Sequence, residues 1–234
     1  MIIMPANHSS NVLHYWQGTY GGLGHLYSPG RTWTPYPWLP YALDNGAFVS
    51  WDKGTEWDVE GFIKHCDSEA LLRSADRIKL FLEKPLWIAV PDVVTDKAAT
   101  VTKWAEWEPT LRQYRCPLAF VAQDGMTPKD VPSDADVVFI GGSTEWKLAN
   151  IHRFCQFFPR VHVGRVNTLR RLWLCCDAGA ESCDGTGWFR EGWRNDPKGL
   201  EFFLKVNAGL EVRQYQLSFF CLSELVGEIQ QHSR

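Results

Sequence analysis

The chain has 234 residues, of which 45% are hydrophobic and 22% charged, a balance that fits a folded globular protein and excludes disordered and fibrous classes. Its formal net charge is −3 and its pI is near 6.2, so no overall basic field draws it to a polyanion. The length suits one sizeable core, either a single α/β barrel or two small domains.

The opening, MIIMPANHSS, has neither the basic start nor the long apolar stretch of a secretory signal. No run of about 18 apolar residues occurs, so the sequence predicts a cytoplasmic protein without membrane contact. Seven cysteines, at 66, 116, 155, 175, 176, 183 and 221, form no CxxC pair, which predicts free thiols in a reducing compartment and no structural zinc. Residues 1–40 read as an N-terminal strand and glycine- and proline-rich loops, with YGGLGHLYSPG (20–30) a loop over the site. The four prolines of PGRTWTPYPWLPY (29–41) predict an extended loop whose aromatics pack. Most of the 12 tryptophans are expected in the core.

From Tyr41 onward, short apolar runs alternate with amphipathic segments of helical length. Strands are predicted at Tyr41 to Leu43, Leu86 to Val90, Leu118 to Ala122, Val137 to Ile140, Val161 to Val163 and, more weakly, near Ala180. Helices are predicted at Val59 to Leu72, Ala98 to Tyr114, Glu145 to Phe157, Leu169 to Cys176 and Pro197 to Val206. Continuous apolar strands separated by helices are the pattern of a parallel sheet buried on both faces. The fold class is therefore α/β, a compact (β/α)8 TIM-like barrel, irregular or incomplete, in one domain: 1–40, a motif-bearing core over 41–188, and C-terminal elements over 189–234.

The residues that follow each strand carry the functional reading. They are Asp44-Asn45-Gly46, Pro91-Asp92, Gln123-Asp124-Gly125, Gly141-Gly142-Ser143, Gly164-Arg165 and Asp184-Gly185. In a parallel barrel, C-terminal strand ends converge on the face that builds the active site. Three carboxylates, a carboxamide and two glycine N–H groups suit a neutral, flat, hydrogen-bonding substrate. No histidine ends a strand, and Asp92 with Asp96 is the only acid pair close in sequence at such an end, so no metal is predicted. Two carboxylates satisfy glycosidic chemistry, whereas no phosphate-binding glycine motif is present. Between Ser143 and Trp173 the cations Lys147, Arg153, Arg160, Arg165, Arg170 and Arg171 face one acid, Glu145: either a phosphate-binding patch or solvated helix faces.

ALDNGAF resembles the DSGGF/Y motif of the tRNA-guanine transglycosylase superfamily, and AVPDVV, FVAQDG, FIGGSTEW, VHVGRVNTLRRL and SCDGTGW follow in the order of that family's strand ends. Over about residues 41 to 188 the chain looks most like the deazapurine-in-DNA transglycosylases of bacterial gene islands and phages. The resemblance implies exchange of guanine for a 7-deazaguanine such as preQ0. Asp184 would be the nucleophile at C1′, Asp44 the general acid and base, and Phe48 the stacking platform. Asp92 would bind N1–H and the exocyclic amine, and Gln123 with the N–H groups of Gly141 and Gly142 would read O6. Lys147, Arg165, Arg170 and Arg171 would meet phosphates. The implied partner is DNA, with tRNA as the alternative. A homo-oligomer, an accessory subunit of the same fold and an N-glycoside hydrolase also remain open. The 50 residues after Asp184 hold only Cys221 and His232 in place of the tRNA enzymes' CxCxxC…H zinc element, which favours DNA and no cofactor.

Each residue also has a structural use. Asp44 could cap a helix or close a turn, Asp92 could cap the following helix, and Phe48 could be core. Gln123 with Asp124 could be loop, Gly141-Gly142 a tight turn, and Asp184 the Asx-turn before Gly185. His162, inside a strand, reads as a packed, hydrogen-bonded histidine.

Overall fold

The structure is a computed structural model that describes residues 1–30, 35–74, 84–189 and 197–213. In chain order its elements are β1 (Ile2–Met4), α1 (Asn11–Tyr20), β2 (His25–Tyr27), β3 (Tyr41–Leu43), α2 (Ala47–Asp52), α3 (Val59–Ser74), β4 (Ile88–Ala89), α4 (Lys97–Leu111), β5 (Leu118–Ala122), β6 (Val137–Ile140), α5 (Thr144–Phe157), β7 (Val161–Val163), α6 (Leu169–Ala178), β8 (Ser182–Asp184) and α7 (Pro197–Asn207).

All eight strands are parallel, in the order β1-β8-β7-β6-β5-β4-β3-β2. The seam between β1 and β2 is joined by the parallel bridges Ile3 to Leu23 and Ala6 to Leu26, which nearly close the sheet into a barrel. No α-helix follows β2 or β5 among the described residues, so the barrel is an irregular (β/α)8 TIM-like one.

The strands sort their side chains by period two. One set, including Met4, Leu26, Ala42, Trp87, Ala119, Val121 and Val137, fills the barrel interior. The alternate set, including Ile3, Leu43, Ile88, Phe120, Ile140 and Val163, packs outward against Leu13, Phe62, Trp104, Ile151, Leu172 and Phe203 from the helices. Small residues at 42, 89 and 119 leave room for the fully buried Trp87, whose ring meets Phe139 and His162 edge-on. Continuing the inward alternation one step past the packed layer brings Asp44, Gln123, Gly141, Gly164 and Asp184 to the upper end of the barrel.

Helix starts follow local chemistry. Ser10, Asp96, Ser143 and Thr168 each accept a backbone N–H of the first turn of α1, α4, α5 and α6. Asp96 therefore caps α4, a task the sequence also allowed to Asp92.

Several expectations are corrected. The last strand is Ser182–Asp184, not a stretch near Ala180; the 179–181 turn, with Gly179 in the left-handed region at φ 86°, leads into it. β4 is shorter than Leu86 to Val90, although Leu86 and Val90 still bond Tyr41 and Ala119 in the ladder. The glycine-rich stretch 20–30 contains β2 and is part of the barrel wall. The core expectation holds for most of the described tryptophans: Trp16, Trp87, Trp104 and Trp188 are buried and Trp57, Trp107, Trp146 and Trp173 pack against the core, while Trp38 and Trp51 are more than half exposed. Cys221 and His232 lie outside the described residues.

Candidate active site

A cavity of about 710 Å³ opens at the C-terminal end of the barrel, a size in the usual range for small-ligand sites. Asp44, Asp92, Asp184, Phe48, Gln123, Gly141, Gly142 and Arg165 all line it. Six strand ends far apart in sequence thus meet in one pocket.

Each acid is held by a different device. Asp44 follows β3; its backbone N–H continues the ladder to Tyr27 O, and Ser28 Oγ donates to its Oδ2 at 2.8 Å. Desolvation raises its pKa above the usual carboxylate value, and the charge of Asp184 pushes the same way against the Ser28 bond. Asp44 caps no helix, because Gly46, left-handed at φ 76°, stands at the start of α2.

Asp92 is gripped on both oxygens. Asn45 Nδ2 donates to Oδ1 at 2.8 Å and Gln123 Nε2 to Oδ2 at 2.7 Å. Asn45, itself buried, also bonds Val90 O and the Ala47 N–H, so it ties β3 to β4 at the cavity floor. Desolvation lifts Asp92 to about 7, with the charge of Asp44 adding to the rise and both amide bonds opposing it.

Asp184 is the last residue of β8 and is buried, with one side open to the cavity. Its Oδ1 accepts the Arg165 backbone N–H at 3.0 Å and faces His162 Nε2 at 3.2 Å. The other nitrogen of His162 pairs with Ser182 Oγ at 2.8 Å. Among the described residues nothing bonds Oδ2. One oxygen is anchored and the other is available to a ligand.

Glycine is required around this acid. A Cβ on Gly164 would stand 2.7 Å from Phe139 and 3.4 Å from Asp184 Oδ1, and one on Gly185 would stand 2.1 Å from the carbonyl of Val166. Gly185 allows close approach of the protein's own backbone and, with Thr186 and Gly187, lines the cavity.

Three further assignments change. The Gly141 N–H is consumed by Ala122 O in the ladder and cannot read a base, whereas the Gly142 N–H bonds no described residue. Gln123 is only 2% exposed; its Oε1 accepts the Thr95 N–H and its Nε2 holds Asp92, so it orients that acid more than it reads a ligand. Lys147 is 2% exposed and donates to Gly164 O, which excludes phosphate contact. Of the other cations, Arg165 lines the cavity, with its guanidinium 4.2 Å from the Phe48 ring centre and bonded to Gly142 O, while Arg170 is exposed and Arg171 half-buried on α6, away from the lining. Arg165 (φ 57°) and Thr95 (φ 65°) are left-handed non-glycine residues, and such strain concentrates where loops build sites.

Asn45, Ser28 and His162 act on the three acids without prominence in the sequence. His162 and Ser182 carried one signal: Ser182 stands two residues before Asp184 on β8 and His162 is its register partner on β7, so both face inward one layer beneath the acid. No three His, Cys, Asp or Glu side chains among the described residues are grouped as metal ligands would be. No described helix is long and apolar enough to cross a membrane. Compared with known proteins, the chain matches no family model and no curated protein.

Proposed function

We propose that the protein exchanges a guanine of DNA for a 7-deazaguanine such as preQ0 through a covalent glycosyl-Asp184 intermediate. The observation that carries this reading is the division of labour within one cavity. Asp184 lines the cavity with one oxygen fixed and the other bonded to no described residue, while burial holds Asp44 toward its protonated form nearby. Double displacement at a sugar needs such a pair, a nucleophile and a proton donor.

In this reading Asp184 Oδ2 forms the bond to C1′ as the C1′–N bond breaks, and the electron pair leaves with the base. Asp44 supplies the proton that neutralises the departing base, then takes one from the incoming 7-deazaguanine as that base displaces Asp184. Asp92, titrating near neutrality, accepts N1–H and the exocyclic amine in its ionised form, and the Gly142 N–H meets O6. An unmet polar group in such a site costs about 1–3 kcal/mol, enough to select guanine over adenine. A duplex nucleotide would have to be extruded into the cavity at a few kcal/mol.

Incubation with labelled preQ0 and either duplex DNA or tRNA, followed by digestion to nucleosides, tests it. Label in deoxynucleoside supports the proposal. Label in ribonucleoside transfers it to tRNA, free guanine without label indicates hydrolysis, and DNA binding without any product indicates a non-catalytic subunit. Asp184→Asn should abolish a covalent protein–DNA adduct.

A further inference from the structure

Lys147 is the one buried ammonium at the site's back wall among the described residues, and its surroundings give it no carboxylate hydrogen bond. It stands in the first turn of α5, behind β6 and β7, and donates to the carbonyl of Gly164. An apolar residue of similar length would fill that space at little or no cost in stability, because buried ammonium groups carry a large desolvation penalty. Packing alone therefore does not account for a lysine there.

The acceptor identifies its use. The Gly164 carbonyl belongs to the peptide that joins Gly164 to Arg165, and the N–H of that same peptide donates to Asp184 Oδ1 at 3.0 Å. A single planar amide thus carries a cation on its oxygen and a carboxylate on its hydrogen. Amide resonance couples the two ends, and hydrogen bonds in such a chain strengthen one another by about 10–30% each. The left-handed backbone of Arg165 belongs to the same turn, which aims the carbonyl at α5 and the N–H at β8.

We propose that Lys147 is a positioning residue for Asp184, acting through the Gly164–Arg165 peptide to hold Oδ1 in place and leave Oδ2 directed at the cavity. Its consequence for rate rests on Asp184 being the nucleophile; the coupling itself does not. Burial lowers the Lys147 pKa to about 8; the charges of Arg165 and Arg171 push the same way, and Asp184 and the Cys175 thiol oppose them. Above that pH the ammonium is neutral and the coupling is lost.

The test uses the full chain with aspartate carboxyl carbons and backbone amides isotopically labelled, titrated between pH 6 and 10. The Asp184 carboxyl and the Arg165 amide should both shift with a midpoint near pH 8, and both steps should vanish in Lys147→Met and in Lys147→Arg, whose guanidinium stays charged throughout. In the base-exchange assay Lys147→Met should lower kcat about tenfold with KM within about twofold, and Lys147→Arg should restore most of the rate without an alkaline decline. An Arg165 amide that is silent near pH 8 in the wild type, or a step that survives in either variant, overturns the proposal. Should Lys147→Met not fold, the wild type and Lys147→Arg decide alone. A wild type that exchanges no base while the coupled steps appear refutes the proposed reaction and leaves the coupling standing.

Discussion

His162 Nε2 stands 3.2 Å from Asp184 Oδ1, beneath the cavity, with Ser182 Oγ 2.8 Å from its other ring nitrogen. The imidazole is fully buried and is wedged by Trp87 and Phe139, so the acid rests on a ring that cannot rotate away. His162→Asn should lower kcat by about 100-fold, the effect of misplacing a reacting group by roughly 1 Å, while KM changes little. Steady-state exchange kinetics, with a thermal melt to confirm folding, check this.

Asp92 makes stability depend on pH in an unusual direction. A carboxyl near 3.8 in the unfolded chain and about 7 in the folded one binds more protons when folded between those values. Stability then falls as pH rises through that window, by a total on the order of a few kcal/mol. The melting temperature of the wild type should decline from pH 4 to about 7, and Asp92→Asn should flatten that slope. An unchanged slope in the variant would assign the dependence to another group.

Gly185→Ala should be among the most damaging small substitutions in the chain. The new Cβ would meet the Val166 carbonyl at 2.1 Å, backbone against side chain, where no rotamer relieves the clash. A loss of about 3 kcal/mol or more is expected, at the upper end of overpacking effects. Gly179→Ala, with nothing within 4 Å of its Cβ and only its left-handed φ against it, should cost about 1 kcal/mol. Denaturant midpoints of the two variants give the comparison.

Phe48 and Arg165 form a cation–π pair at 4.2 Å across the cavity wall. A base that stacks on Phe48 shares that ring with, or takes it from, the guanidinium. Phe48→Leu should weaken 7-deazaguanine binding by about 10- to 100-fold, the size of one base–aromatic stack. Arg165→Gln should weaken it less, or strengthen it if the guanidinium occupies the stacking face. Titration calorimetry with free base separates these outcomes.

The sequence made six of the eight strands legible because buried parallel strands are continuous apolar runs with polar terminators. β1 was legible only as an N-terminal strand without bounds, since MIIM ends at Pro5 after three paired residues, and β2 escaped because HLY carries a histidine and a tyrosine. α2 is six residues long and starts from a left-handed glycine, which reads locally as a turn. The three acids were visible because they terminate strands. Their holders were not, since nothing in the pattern distinguishes Asn45 gripping Asp92 from an Asn in a loop. Lys147 shows the limit most plainly: charge spacing along α5 cannot tell a lysine facing solvent from one turned under a β-strand end.

The pairing of residue 2 with residue 182 sets the order in which this molecule can be completed. During synthesis β1 emerges some 180 residues before β8, its neighbour, and the strand bearing Asp184 cannot be flanked on both sides until it has itself been made. Local βα units can form early, whereas the strand pairing of highest sequence separation closes last. The edge of β1 that pairs with β8 therefore waits for its partner, and the pocket around Asp184 comes into being together with the finished ring of strands.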